Sequence, residues 1–471
     1  MKPNVLVIMC DQLRYDCLTN PYVRTPNMDR VRQKGVFFNN AYSQTPVCIP
    51  ARHSFISGQD AFNIGLEENS SEIPDIKYPL ARLVRDRGYY TCAVGKMHFV
   101  PAREHFGFDK MYLSEEIPKY IEDDEYLQYL RDNGFSHIIE PHGKRSDMYY
   151  VPQDSALPAE YHTTAWTARK TVEVIEKNLK RNFFLFSSFI KPHPPFDPCE
   201  PYNKMYDPNT VPVPVRHPDE EAFDRAITFQ NGYKVNGIDN INDEDIKKIR
   251  AYYYGSVSQV DSALGEILDC LKRNNLYDNT LIIFTADHGE MLGDHGGFGK
   301  RTYYEQSAKI PFIISYPSVF KKGTETDEIV ILPDLYATIL STVGADIPDN
   351  CTGLDLTPLC KGGGNIQRSR IICQYGRGIE FKAMVRWDKY KYIYYANGAK
   401  EVLYDLENDP MESKPLINTK VFAEQKNTLI EYFKKYNYDK ALDGDKLINY
   451  DYEKAPTTGY INQYPKWQER L

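Results

Sequence analysis

Through roughly the first three quarters of the chain, short runs of β-branched and aromatic residues alternate with segments of helical periodicity, and this pattern most narrows the possible folds. The runs Val5–Met9, Val36–Ala41, Tyr89–Val94, Phe183–Ile190, Thr280–Thr285 and Ile310–Ser315 are nearly continuous apolar stretches, as strands buried on both faces require. Between them, helices are expected at 27–34, 50–57, 78–87, 161–179, 243–273 and 333–342. Such alternation predicts an α/β fold, a large central and mostly parallel sheet sandwiched by helices. In open sheets of this kind ligands bind beyond the carboxyl ends of the strands. The residues that carry chemistry are therefore sought there.

At 471 residues the chain exceeds the size at which single cores stop growing, about 250–300 residues, so more than one domain is expected. The glycine run at 361–365 marks the boundary, giving a large α/β domain over 1–364. After it, short strand patterns over 371–375, 381–387, 391–395 and 402–404, then a helix over about 421–436, predict a small antiparallel sheet with one helix over 365–438. Residues 439–471 are Tyr-rich and aperiodic, and read as a tail packed on the main domain or on a partner subunit. Regions 110–160 and 195–240 lack clear periodicity and read as long functional loops.

A net charge of -8 argues against a sequence-independent grip on nucleic acid or on an acidic membrane surface, and no stretch approaches the ~20 apolar residues of a membrane span. Nine cysteines at irregular spacing, with no C-x-x-C pair, argue against a disulfide framework or structural zinc. Together with an N-terminus that reads as a strand rather than a leader, they point to the cytoplasm.

Within the run TPVCIPARHSFISG, Cys48-Ile49-Pro50-Ala51-Arg52 forms the pattern C-x-P-x-R, which nine cysteines would produce by chance in only about 2% of chains of this composition. A helix opening here, with Pro50 at its first position, would leave unpaired N–H groups that suit an anion. Asp11-Gln12 ends the first strand, and Asp287-His288 ends the strand Thr280–Thr285. Lys96 and His98 follow Tyr89–Val94 two apart, and on an extended segment would face one side. His193 stands among prolines in Lys191-Pro192-His193-Pro194-Pro195, and Lys300 ends a glycine-rich stretch that does not match a P-loop.

With Ser54-x-x-x-Gly58 completing the signature, the chain resembles the type I, formylglycine-dependent sulfatases of the alkaline phosphatase superfamily. The resemblance implies a sulfuric ester hydrolase in which a formylglycine-generating maturation enzyme oxidises Cys48 to an aldehyde whose hydrate is the nucleophile. It implies Asp11, Gln12, Asp287 and His288 as ligands, with the modified Cys48, of one divalent metal, Ca²⁺ or alternatively Mn²⁺. It further implies that Arg52 anchors the formylglycine hydroxyl, Lys96 and Lys300 hold sulfate oxygens, His193 protonates the leaving alcohol and His98 removes the proton that lets the hydrate expel sulfate. Gln12 and His288 stand where many members of the family have Asp and Asn, and this pairing is similar to the choline sulfatase and phosphonate monoester hydrolase branches. A phosphonate monoester or phosphodiester hydrolase is thus the alternative activity, and an inactive binder of sulfated ligands a further one. The substrate implied is a small sulfate ester or sulfated sugar, and a homo-oligomer is possible on these grounds.

Overall fold

The computed structural model describes residues 2–145, 149–216, 224 and 242–454. Parts of the two expected loop regions (146–148, 217–223 and 225–241) and the end of the expected tail (455–471) lie outside the described residues.

Eight strands form the central sheet: β1 (Asn4–Asp11), β2 (Val36–Tyr42), β3 (Tyr90–Gly95), β4 (Lys110–Leu113), β5 (Phe183–Pro192), β6 (Thr280–Ala286), β7 (Phe312–Ser315) and β8 (Thr324–Ile331). Their order across the sheet is β4-β3-β5-β1-β6-β7-β2-β8. Strands β1, β5 and β6 are buried along their whole length, which is why they read as nearly continuous apolar runs. Helices Thr163–Lys177 and Asp243–Arg273 pack together over one part of the sheet, and the long one carries its own start and stop signals. The Asn242 side chain accepts from the backbone of Asp245, three acids occupy the first turn and Lys272 and Arg273 the last.

All neighbouring strands run parallel except β7, which is antiparallel to both β6 and β2. After β6 the chain stays at the carboxyl edge through 287–311, with only the short turns Asp294–Gly296 and Glu305–Ala308 and no crossover helix, and so re-enters the sheet from the edge it left. β4 and β8 were not expected as strands. Both lie at sheet edges, and β8 opens with Thr324-Glu325-Thr326-Asp327-Glu328, a charged run of the kind that protects an exposed edge and masks the apolar signal. Within the first expected loop region stands a helix, Glu125–Asp132, capped by Asp124.

A second, antiparallel sheet of β9 (Arg370–Tyr375), β10 (Lys382–Trp387), β11 (Tyr390–Tyr395) and β12 (Lys400–Asp405) follows, with helix Thr419–Lys435 on one face. Period-2 alternation assigns its two faces. Ala383, Val385, Tyr392 and Tyr394 pack with Leu429 and Phe433 of the helix, while Met384, Ile393 and Tyr395 pack with Tyr42, Met291, Tyr303 and Tyr304 of the main core. Buried ion pairs reinforce this second face: Lys391 bonds Glu305 at 2.7 Å and Glu412 at 2.6 Å. Beyond residue 439, the ribbon of β13 (Leu442–Asp443) and β14 (Lys446–Leu447) and the segment to Glu453 lie against the small sheet rather than across the main domain. The Tyr394 hydroxyl donates to the Ile448 carbonyl at 3.0 Å and the Asn397 side-chain amide to that of Glu453 at 3.0 Å, so side chains of the small sheet satisfy backbone carbonyls of this segment. Among the described residues of this segment, Lys440 reaches back to the main domain, to Glu67 at 2.6 Å.

Candidate active site

The carboxyl edge of the large sheet gathers the charged residues. Asp11 ends β1, and Gln12 follows in the left-handed region (φ 65), an unusual backbone for a residue other than glycine. Asp287 and His288 follow β6 directly. β3 ends at Gly95 (φ 90), where a Cβ would collide with the Ser188 carbonyl of β5, so only glycine lets the chain turn there and deliver Lys96. The helix expected to open at Pro50 opens two residues earlier, spanning Cys48–Ser57 with Val47 as N-cap, so Pro50 sits within the first turn, where its missing N–H still costs nothing. Cys48 and Arg52 are then one helical turn apart on one face, which accounts for their spacing.

Arg52 is fully buried and uses its whole guanidinium. Nε donates to Asp287 Oδ2 at 2.8 Å, Nη2 to Asp11 Oδ2 at 3.3 Å, and Nη1 to the Lys96 carbonyl at 2.5 Å and to Ser188 Oγ at 2.8 Å. Lys96 Nζ lies 2.5 Å from Asp11 Oδ2 and 2.8 Å from Glu116 Oε2. On the other side, Lys300 Nζ lies 2.9 Å from Cys48 Sγ and 2.8 Å from Gln12 Oε1. His288 turns Nδ1 to the Gly289 carbonyl (2.9 Å), which leaves Nε2 facing Cys48 Sγ at 3.3 Å and the oxygens of Asp11 and Asp287 at 3.7 and 3.6 Å.

These contacts set the charge states. Burial raises the Cys48 thiol, but Lys300, Lys96 and His288 outweigh it and hold it well below the usual thiol range. Burial and Cys48 likewise oppose ionisation of Asp11, yet Lys96, His193 and Lys300 hold it below the usual carboxylate range. Asp287 goes the other way, pushed up by burial and by Asp11 beside it. Two buried carboxylates of opposite shift in one pocket leave a negative charge that a divalent cation can take up.

The donor set fits such a cation. One donor atom each from Asp11, Cys48, Asp287 and His288 lies within 4.8 Å of every other, all four residues are buried, and the Gln12 carbonyl oxygen approaches the same Lys300 that touches Cys48. Carboxylate and amide oxygens with one imidazole suit a hard or borderline divalent ion.

His193, presented by the loop after β5, directs Nδ1 to the Pro194 carbonyl (2.6 Å) and Nε2 toward Glu116 Oε2 (3.3 Å) and the Tyr149 hydroxyl (3.4 Å). Burial lowers it to about 3 despite Glu116. His98 is placed differently from expectation. The segment after Lys96 is not extended: His98 takes a left-handed φ of 53, and the N–H groups of Met97 and His98 both donate to Glu115 Oε1 at 2.9 Å. Lys96 and His98 therefore do not share one face through strand alternation. The His98 Nδ1 is buried without a hydrogen-bond partner.

Two glutamates that sequence reasoning passed over complete the network. Glu116 is held by Lys96, by Arg145 at 2.6 Å and by Tyr149, and against its burial His193, Lys96 and Arg145 keep it well below the usual carboxylate range. Glu290, fully buried, bonds the Gln12 amide nitrogen and the backbone of Leu292 and Gly299. Position 290 lies three residues beyond Asp287, a signal that could have been followed; Glu116 sits in a stretch with no periodicity to locate it.

The sulfatase family profile matches residues 3–345, and the C-terminal profile of N-sulphoglucosamine sulphohydrolase matches 293–439. An arylsulfatase of Clostridium perfringens is 31% identical, over 95% of this chain and 98% of that protein. A choline-sulfatase of Rhizobium meliloti is 27% identical, over 87% and 81% of the two chains. In structure, the phosphonate monoester hydrolase of Agrobacterium radiobacter superposes with a TM-score of 0.80 at 27% identity, over 93% of this chain and 96% of that one. The signature around Cys48 and the sheet edge that surrounds it lie inside the matched region, and the chain belongs to the sulfatase family of the alkaline phosphatase superfamily, a hydrolase of sulfate esters.

Proposed function

We propose that the cluster around Cys48 is the catalytic centre and that it works on a small sulfate ester or a sulfated sugar. The observation that carries this reading is the convergence of Asp11, Cys48, Asp287 and His288 on one buried point, with Lys96, Lys300 and Arg52 around it. Cys48 Sγ marks where the oxygens of a hydrated formylglycine would stand after maturation of this residue by a separate enzyme. The hydrate supplies the nucleophile, with a second hydroxyl that an ordinary serine or cysteine lacks. Asp11, Gln12, Asp287 and His288 would hold one divalent cation, Ca²⁺ or alternatively Mn²⁺, which when bound would make that hydroxyl more acidic and offset negative charge on the sulfuryl oxygens.

This chain's own groups supply the rest. Arg52, pinned by four hydrogen bonds, keeps the two carboxylates apart and in register with residue 48. Lys96 and Lys300 flank residue 48 and bind the sulfuryl oxygens, in a pocket dry enough for each charge to act strongly. His193, with Nδ1–H fixed by the Pro194 carbonyl, can give a proton to the departing oxygen through Nε2 only as the imidazolium, the form that neighbouring Glu116 and Asp11 favour against burial. His98, with its buried and unpartnered nitrogen, takes up the second hydroxyl proton.

A sulfated amino sugar is favoured as the sugar substrate by the match to the N-sulphoglucosamine sulphohydrolase profile. Hydrolysis of phosphonate monoesters is the second reading, supported by the likeness to the Agrobacterium enzyme and by Gln12 and His288 in the metal set. We also propose a division into a catalytic domain over 1–364, a small α+β domain over 365–438 and a C-terminal segment over 439–471. Nine cysteines without a disulfide suit a reducing compartment such as the cytoplasm, and among the described residues no helix is long and apolar enough to cross a membrane.

Peptide mass spectrometry of the tract around residue 48, in protein from its native host, should show the aldehyde. Aryl sulfate and aryl phosphonate hydrolysis should both vanish in EDTA and return with added Ca²⁺ or Mn²⁺, with the sulfate ester turned over faster. An unmodified thiol in active protein would remove the proposed nucleophile, and faster phosphonate turnover would establish the second reading.

A further inference from the structure

A glutamine side chain has two nearly isosteric ends, one an acceptor and one a donor, and only its oxygen can serve a cation. What decides the end that Gln12 presents is therefore a question of its neighbours. On one side stands Lys300, whose ammonium can only donate, at 2.8 Å from Gln12 Oε1. On the other stands Glu290, whose carboxylate accepts from Gln12 Nε2. Only one orientation satisfies both, and it turns the carbonyl to the side where Lys300 meets Cys48.

Glu290 is itself immobile. It is fully buried, and its second oxygen accepts from the N–H of Leu292 at 2.9 Å and of Gly299 at 2.5 Å. The Gly299 bond fixes the residue immediately before Lys300. The backbone of Gln12 is held as firmly: its N–H donates to Asp287 Oδ1 at 3.1 Å, and its carbonyl accepts from the Tyr253 hydroxyl at 2.8 Å. One carboxylate thus joins the end of β1 to the loop that carries Lys300, two elements 288 positions apart in the chain.

We infer that Glu290 is a positioning residue: it locks the amide of Gln12 with the carbonyl toward the metal and sets the place of Lys300 through Gly299. The inference rests on the reading of Gln12 as a metal ligand. Substituting Glu290→Gln isolates the effect. To keep the Leu292 and Gly299 bonds, the introduced amide must direct its oxygen at them and its NH₂ at the NH₂ of Gln12. Two donors then oppose each other, and Gln12 relieves the clash by flipping, which removes an oxygen ligand and points N–H groups at the cation. Hydrogen-bond partners of metal ligands are typically worth about 10–100-fold in affinity, and a loss of that size is expected here. Adding Gln12→Glu to Glu290→Gln restores a donor facing an acceptor and should restore binding.

Isothermal titration of the metal-stripped full chain with Ca²⁺ alone, and separately with Mn²⁺ alone, tests this, with Gln12→Ala as reference. The expected result is weak binding by Gln12→Ala and by Glu290→Gln, with recovery in the double variant to within about threefold of the parent protein. Parent-like affinity in Glu290→Gln, with Gln12→Ala weakened, would overturn the role of Glu290 alone. Parent-like affinity in Gln12→Ala would overturn the ligand reading and this inference with it. A double variant as weak as Glu290→Gln would overturn the inference that Glu290 acts through the amide of Gln12. If Glu290→Gln does not fold, the double variant decides by the same comparison, and failure of both to fold would also overturn the inference.

Discussion

Replacing Arg52 with methionine, a side chain of similar length and no charge, tests whether the guanidinium is what allows two buried carboxylates to coexist. Asp11 would keep Lys96 at 2.5 Å, but Asp287 Oδ2 would lose its 2.8 Å partner and retain hydrogen bonds only through Oδ1, from the N–H groups of Gln12 and His288. Removing one partner of a buried ion pair costs about 3–5 kcal/mol. Unfolding entropy of about 2.1 cal/mol/K per residue, taken over 471 residues, amounts to about 1 kcal/mol/K, so Tm should fall by about 3–5 °C in EDTA. A cation bound between the carboxylates restores part of the missing charge, so the fall should shrink in saturating Ca²⁺. Differential scanning calorimetry of parent and variant under both conditions measures the difference. Equal Tm values for the two proteins in EDTA, or a deficit untouched by metal, would refute the account of Arg52 as counter-charge.

Three further outcomes follow from named groups. His193→Ala should lower kcat for esters of poor alkyl leaving groups by about 10²–10⁴ and spare activated nitrophenyl sulfates, and equal losses on both would exclude an acid role. Glu116→Gln removes a negative charge 2.8 Å from Lys96, and should raise kcat/KM for phosphate monoester dianions relative to sulfate monoanions by about tenfold, read from parallel assays. Burial lowers His53 to about 4 and His162 to about 3, both below their ordinary 6.5. Below pH 6.5 the unfolded chain binds protons that the folded one refuses, so stability is full above that pH and is lost as pH falls toward the folded values, by about 2 kcal/mol per histidine at pH 5. Urea midpoints at pH 7 and pH 5 should therefore move closer together in His162→Gln than in the parent.

Elements buried on both faces were the easiest to read. β1, β5 and β6 are buried on both faces and stand out as predominantly apolar runs, and helix Asp243–Arg273 announces both of its ends by charge. β4 and β8 were hidden because an edge strand needs only one apolar face and gains from charge on the other. The reversed direction of β7 was hidden for another reason: direction depends on where the preceding loop travels, and no residue in Phe312–Ser315 encodes it.

The site divides along the same line. Asp11, Gln12, Cys48, Arg52, Lys96, His193, Asp287, His288 and Lys300 could be named from the chain because each stands in a short local pattern, at a strand end or on one helical turn, and these patterns are what the family resemblance recognises. The partners that define their states could not. That Lys96 is shared between Asp11 and Glu116, that His98 sits on a left-handed turn, and that Glu290 reads the amide of Gln12 from 278 positions away are matters of approach between strands distant in sequence. Local sequence determines which functional groups each strand end can offer; their charge, tautomer and orientation are set by low-dielectric contacts at about 3 Å, and only the packed sheet brings those contacts into being.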